Sequence, residues 1–492
     1  MRSALLAAAI LLGVLLRCVN IRQGLWWDEI WSTVEYAAAP SWWYTVSRLG
    51  YYFNNHPLYS IACRISIALL GLSEVSLRLP ALIMGIAALP ALYALARPLT
   101  GTAPALLAAL LLAFSAFHID HSTEARGYTG MMLFGLLASL LYFRVLVSGA
   151  LRTWVLFILC TFLGFYCHVY MVQVPLVQVI CCAVLRAEQA LKGDKRPMMH
   201  DGALKHLVLA LAAAALMTLA AYAPMLKFFV ANAAKVQMLR VDRLPFVAEM
   251  YEAVLPGFAT VPGMLLYGTL TVCGLLYMRR RSPVLLIYTV LISNLPLLLY
   301  LQLNPMFIFK RYFLISLPFC LLTLACGMEW IVSACRMRPA VRIVFYCTVI
   351  AAIAVLQWPA IRQITTQSRQ HYREAMAFVE DRVAAGDGSA VFAVGQASRH
   401  FNFYARIPVT VPETFDDFQA RLRASSGAWC LVTAWLPELR PAHEPALLYT
   451  EDPEQQRIYD YVRANFQLAA CFRGVFRTCV YRWPVEKRDA DR

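Results

Sequence analysis

Residues 56–71, "HPLYSIACRISIALLG", decide how the rest of the chain is threaded. The stretch is apolar, but it has only 16 residues, opens on His-Pro and carries Arg64 in mid-run. As a helix it would reach about 24 Å, short of the roughly 30 Å of a bilayer hydrocarbon core. It therefore reads as an amphipathic helix lying at the interface rather than as a span. That choice sets the parity of every segment that follows.

The chain has 492 residues, of which 60% are hydrophobic and 15% charged. This is too apolar for a soluble globular protein and fits a multi-pass membrane protein. Segments of spanning length fall at 4–20, 76–96, 102–119, 128–147, 152–169, 170–186, 205–223, 262–278, 283–301, 312–332 and 342–359, giving eleven. The first resembles the apolar core of a signal peptide. No small-x-small cleavage site follows it, and "LLRC" lacks the small residue expected before a lipoprotein cysteine, so an uncleaved span is expected.

With eleven spans and a cytoplasmic N-terminus, the basic clusters at 186–196 with Lys205, at 279–281 and at 336–342 share one side. The positive-inside rule makes that side cytoplasmic. The same count puts 26–71, 118–126, 224–262, 304–311 and the C-terminal region outside. Were 56–71 a span, the 279–281 cluster would move outside.

Residues 1–360 hold 27 Lys+Arg against 13 Asp+Glu, whereas 361–492 hold 17 against 16. Almost all of the formal charge of +15 thus belongs to the membrane part, where it reads as a topology signal. No nucleic-acid motif, heptad run or solenoid repeat is present, so no nucleic-acid partner is expected. The boundary is set at 1–360 for the membrane module and 361–492 for a soluble domain. In the latter, "HYREAMAFVEDRVAAGDG" reads as an amphipathic helix. "SAVFAV", "PVTV" and "AWCLVTAW" read as strands, and "AACFRGVFRTCVYRW" as a final hairpin, together a small extracytoplasmic α/β domain. Most of the 14 cysteines lie in apolar spans. Cys471 and Cys479 flank the hairpin, where a bridge would be allowed; an odd count of three in the domain, with Cys430, leaves the pairing open.

Three groups of polar residues fall on the outer face. The first loop holds "GLWWDEIWS" at 24–32, where Asp28 and Glu29 stand among tryptophans that read as an interfacial belt. Carboxylates held near low dielectric have a task or a partner, which marks Asp28 and Glu29 as catalytic candidates. The second loop, "HIDHSTEARGYTGM", gathers His118, Asp120, His121, Glu124, Arg126 and Tyr128. Its bland reading is an internal Glu124–Arg126 pair. Its functional reading is an acid and a guanidinium beside a phosphate or sugar. The third group, "FIFKRYFLISLP", puts Lys310, Arg311 and Tyr312 at the outer mouth of a span, where positive-inside logic disfavours cations and an anionic headgroup would explain them. His168 in "FYCHVYMV" stands at another outer span end, where a lone histidine is ordinarily a packing group. Acids for proton abstraction, cations for phosphate and aromatics for an isoprenoid or sugar ring suit transfer from a lipid-phosphate donor. There is no Walker or Rossmann glycine motif for a nucleotide donor.

The sequence resembles membrane glycosyltransferases of the GT-C class, and is most similar to the bacterial protein-O-mannosyltransferase and lipid A aminoarabinose transferase group (glycosyltransferase family 39-like). The landmarks run in family order: "WWDEIWS", "NHPLYS", "SEVSLRLPAL", "STEARGY", "HVY" and "KRYFLISLP". The resemblance implies a GT-C fold of about eleven transmembrane helices with juxtamembrane helices in the first external loop. It implies inverting transfer of a sugar from a polyprenyl-phosphate donor to a glycan, lipid or protein acceptor at the extracytoplasmic face of a bacterial inner membrane. In that frame Asp28 is the base and Glu29 its neighbour in the acidic motif. Arg126, Lys310, Arg311 and Tyr312 attend the donor phosphate. His56, Tyr59, Asp120, Glu124, Tyr128 and His168 line the same cavity. No essential metal or other cofactor is expected, since no strong ligand set is present. Glu124 and Leu58 stand where some relatives have Asp and Pro. The competing classes are a lipid-linked sugar flippase and a non-catalytic envelope scaffold. The absence of duplicated halves and the placing of charges at span ends weigh against the first.

Overall fold

In a computed structural model, residues 2–48, 54–192, 202–233, 243–303, 309–383, 389–395, 398–434, 452–474 and 477–483 are described. Parts of the sequence features, at 49–53, 193–196, 234–242, 304–308, 384–388, 435 and 475–476, lie outside them. The chain forms two compact units. One is Met1–Ile21 with Glu35–Thr365, and the other is Arg22–Val34 with Thr366–Arg492.

The first unit is helical throughout: α1 (Arg2–Cys18), then after the acidic segment α3 (Trp42–Ser47), α4 (Pro57–Leu70), α5 (Glu74–Thr100), α6 (Thr102–Ala113), α7 (Ala116–Ser122), α8 (Tyr128–Ser148) and α9 (Leu151–Cys167). It continues with α10 (Gln173–Lys192), α11 (Ala203–Tyr222), α12 (Leu226–Ala233), α13 (Arg243–Val254), α14 (Val261–Arg281), α15 (Pro283–Leu303), α16 (Leu317–Ala334) and α17 (Pro339–Thr366). Among the described residues seven helices are long and apolar enough to cross a membrane, eight if the bent pair α6–α7 counts as one. All eleven expected spans correspond to helices. Of these helices α1 and α9 have 17 residues each, and α15 has 21, from Pro283 to Leu303, with Pro296 inside it. The protein is a multi-pass membrane protein. Residues 56–71 form α4, 14 residues from Pro57 to Leu70, about 21 Å long. Its Arg64 lies 4.9 Å over the Trp42 ring of α3 and donates to the Ala39 carbonyl.

Helices pack most closely where side chains are smallest. A Cβ at Gly274 of α14 would fall 2.0 Å from the Thr323 carbonyl oxygen, and one at Gly327 of α16 2.0 Å from that of Leu270. The two backbones touch reciprocally, as small residues permit. Elsewhere in the core Ser139 of α8 bonds Tyr288 of α15 at 2.7 Å.

The bend between α6 and α7 is 59°. A break strands carbonyls at the end of one helix and N–H groups at the start of the next, which apolar surroundings cannot satisfy. Buried Arg17 of α1 answers the first set: its Nη1 donates to Gly13 and Ala113 carbonyls at 2.7 and 2.8 Å, and its Nη2 to His118 Nδ1 at 2.7 Å. Gln357 of α17 answers the second, its Oε1 accepting from Ala116 N–H at 2.8 Å. Arg17→Leu is expected to strip the Ala113 carbonyl of its donor and cost about 1–3 kcal/mol, read as a lowered thermal midpoint in detergent. An unchanged midpoint would remove this account of the break.

The second unit joins α2 (Trp27–Ser32), α18 (Tyr372–Arg382), α19 (Ser398–Tyr404), α20 (Phe415–Arg423) and α21 (Pro453–Asn465) to a four-stranded sheet. The strands are β1 (Ala390–Val394), β2 (Ala428–Ala434), β3 (Gln467–Phe472) and β4 (Arg477–Trp483), in the order β1-β2-β4-β3. β1 and β2 are parallel, and the other pairings are antiparallel. Phe392, Val394, Phe418, Leu422, Cys430, Val432, Ile458 and Val462 form its core. "PVTV" was expected to be a strand. It makes only an isolated parallel bridge, Thr410 to Phe392, since proline and a short length leave one residue to pair. The Cys471 and Cys479 pair faces across β3 and β4 in register, with Sγ atoms 2.7 Å apart. On an oxidising face of the membrane the pair is expected to carry a disulfide. Intact mass without reductant should then fall by two hydrogens relative to the reduced protein, and both thiols alkylating in freshly isolated membranes would contradict it.

Candidate functional site

In the membrane unit, four separate chain breaks deliver rings to one place. His56 precedes Pro57, which disfavours helical backbone, and it sits at φ −112°, ψ 84° as the cap of α4. Tyr128 opens α8. His168 takes an extended conformation between α9 and a 3-10 turn over Val169–Val172. Tyr312 lies in a 3-10 stretch, Lys310–Ile315. Ring centroids are 4.9 Å apart for His56–His168, 5.1 Å for His56–Tyr128, 5.3 Å for Tyr128–His168 and 5.1 Å for His168–Tyr312. Tyr170, which sequence reasoning passed over, stacks on Tyr312 at 4.0 Å. Its place two residues after His168 in "HVY" was the available signal.

Hydrogen bonds assign the tautomers. A carbonyl can only accept, so His56 Nδ1, 3.0 Å from the Cys167 oxygen, carries a proton. His168 Nδ1 accepts from Tyr170 N–H at 3.1 Å, which puts the proton of a neutral ring on Nε2. Burial, then the Arg126 charge and His168, hold His56 well below the usual histidine range. It is neutral, and its buried Nε2 presents a lone pair with no hydrogen-bond partner among the described residues.

Two guanidinium groups flank Tyr128. Arg126 Cζ lies 5.7 Å and Arg311 Cζ 5.4 Å from its ring centre. Arg126 also donates to the Asn54 carbonyl at 3.3 Å, to the Asn54 side-chain oxygen, and to Tyr128 hydroxyl at 3.4 Å. The Arg126 N–H bonds the Glu124 carbonyl at 2.7 Å, which folds the loop tightly. Glu124 pairs with His121 at 2.8 Å, so the loop holds a histidine–carboxylate pair that the sequence did not single out. Asp120, at the end of the same helix, is half-buried. Lys310 is paired with Glu249 at 2.9 Å. Tyr59 donates to the Leu77 carbonyl and fastens α4 to α5. Of the expected residues, the structure therefore gathers His56, Arg126, Tyr128, His168, Arg311 and Tyr312.

Asp28 and Glu29 belong to the second unit, on α2, and both are buried. Glu29, at the third position of the helix, turns back so that its carboxylate accepts from Trp26 N–H at 3.1 Å, capping the helix start. Trp27 and Trp31 pack on the His400 ring, at 5.5 and 6.1 Å. Trp42 and Trp43 are exposed. Among the described residues no group of three His, Cys, Asp or Glu is placed to hold a metal ion.

Comparison with solved structures gives ArnT from Cupriavidus metallidurans, in the apo state, with a TM-score of 0.56 at 13% identity, covering 98% of this chain and 97% of that one. The same protein bound to undecaprenyl phosphate gives a TM-score of 0.58 with the same identity and coverage. The chain has the GT-C fold. A family model described as dolichyl-phosphate-mannose-protein mannosyltransferase matches residues 54–222, the part of this GT-C chain that holds His56, Arg126, Tyr128 and His168. No curated relative matches by sequence.

The cluster has no slack at Gly127, where a Cβ would lie 2.8 Å from the Cys167 oxygen and 2.9 Å from His56 Cβ. Gly127→Ala is expected to push His56 off the Cys167 carbonyl and destabilise by about 1–3 kcal/mol. A lowered thermal midpoint checks this, and a wild-type value would contradict it.

Proposed function

We propose that the protein is an inverting glycosyltransferase. It moves a sugar from a polyprenyl-phosphate donor to an acceptor hydroxyl or phosphate oxygen at the extracytoplasmic face of a bacterial inner membrane. The observation that carries this reading is the Arg126–Tyr128–Arg311 arrangement beside the His56–His168–Tyr312 rings, in a fold shared with a protein solved with undecaprenyl phosphate. Guanidinium groups match phosphate oxygens in charge and geometry. In transfer, the bond from the anomeric carbon to the phosphate oxygen breaks and leaves negative charge on the phosphate. Two nearby cations lower the energy of that charge. His56, neutral with an open Nε2, accepts a hydrogen bond from a sugar hydroxyl. The stacked tyrosines suit an isoprenoid or a sugar face.

The acceptor oxygen attacks the anomeric carbon from the side opposite the leaving phosphate, and its proton passes to a general base. Asp28, the first acid of the Asp-Glu motif, is proposed for that role, while Glu29 caps its own helix. The products are the inverted glycoside and polyprenyl phosphate. The arginines belong to one unit and the carboxylate to the other, and each role is tested by itself.

With purified protein and a panel of polyprenyl-phosphate sugars, Asp28→Asn is expected to lower turnover about 10²–10⁴-fold with normal membrane expression. Arg126→Ala and Arg311→Ala should raise the donor KM. Wild-type turnover by Asp28→Asn sinks the base assignment. Donor binding without turnover by the wild-type protein, together with transbilayer movement of the lipid, would establish a flippase instead.

A further inference from the structure

The helix that carries Asp28 is held by the C-terminal part of its own unit. α2 has six residues, too few to be stable alone. The N–H groups at its start find acceptors on the distant tail: Trp27 N–H donates to Gln370 Oε1 at 2.7 Å, and Leu25 N–H to Tyr404 hydroxyl at 2.8 Å. Arg373 donates to the Arg22 carbonyl at 3.0 Å, and the Arg369 guanidinium covers the Trp26 ring at 4.7 Å. His400 is buried in contact with the Trp27 and Trp31 rings, and with Tyr372 at 5.9 Å. Asp28 thus follows directly on one anchored tryptophan and lies three residues before another. Its backbone is fixed along and across the helix by groups from α18, α19 and the segment before them.

We propose that the C-terminal soluble region is a positioning device for the Asp28 carboxylate, with Gln370, Tyr404 and His400 as positioning residues. This rests on the reading of Asp28 as the base. A base displaced by an ångström loses its alignment with the acceptor proton, and rate falls while donor affinity is kept. The tail therefore acts on kcat.

The test uses full-length protein in detergent, with donor kinetics and deuterium uptake of the peptide covering residues 22–34. Gln370→Leu with Tyr404→Phe removes both acceptors. It is expected to speed exchange in that peptide and to lower kcat about 10–100-fold, with donor KM within about twofold. Gln370→Glu, which keeps an acceptor oxygen, should recover most of the rate, and His400→Leu should act like the double variant. Tyr404→Phe alone, a single lost hydroxyl, guards against misfolding and should give an intermediate value. Unchanged exchange in the double variant overturns the anchoring. Faster exchange with unchanged kcat, when Asp28→Asn is inactive, overturns the positioning alone. Full turnover by Asp28→Asn overturns the base reading and this proposal with it, while the exchange data still report whether the segment is held.

Discussion

The membrane unit depends on the cost of leaving backbone polar groups unmet in an apolar interior. The helix that begins at Thr102 cannot continue through Phe114 and Ser115, and the polar groups exposed there are answered by one arginine and one glutamine from helices far away in sequence. With that break secured, α7 turns aside and ends in the Thr123–Gly127 loop, so Arg126 and Tyr128 arrive beside His56 and His168. A straight helix would carry the same residues elsewhere. Arg17 thereby does at a distance what a helix cap does locally. It is a charged residue in an apolar segment whose role lies in geometry.

The ring cluster shows how neutral groups tune a charged site. His56 and His168 stand in close ring contact with two guanidinium groups nearby, an arrangement that would repel itself if the imidazoles were protonated. Each is fixed as a neutral tautomer by a backbone group, one donating and one accepting. The pair therefore offers one acceptor and one donor nitrogen side by side, without adding charge to the arginines. A site of this kind presents its positive charge at two defined points, as recognition of a compact anion requires.

Much of the helix plan was legible because apolar runs in a membrane chain are long and their ends are marked. All eleven expected spans appear as helices, and residues 56–71 form the short helix that their length and arginine suggested. The ring cluster was half legible. His56, Arg126, Tyr128, His168, Arg311 and Tyr312 stand in motifs visible one at a time, but their convergence depends on loop geometry that no local pattern encodes. Some contacts were not legible locally. The packing of Trp27 and Trp31 on buried His400 and the pairing of Lys310 with Glu249 join residues far apart in sequence. "PVTV" had strand composition, but its proline and short length leave one residue to pair.

The acid-bearing segment and the tail also set an order of events. The amide of Trp27 bonds a residue 343 positions further along, and that of Leu25 one 379 positions on. Residues 22–34 leave the ribosome early, yet their partners in this unit are made only after the helices of the membrane unit. Closing so long a loop costs only slightly more entropy than closing a moderate one, so the delay is one of synthesis rather than of thermodynamics. A truncated or stalled chain can thus insert its helices and still lack a settled Asp28. Under the role proposed for Asp28, completion of the last domain becomes the step that settles the segment carrying it, a built-in guard against activity in partial chains.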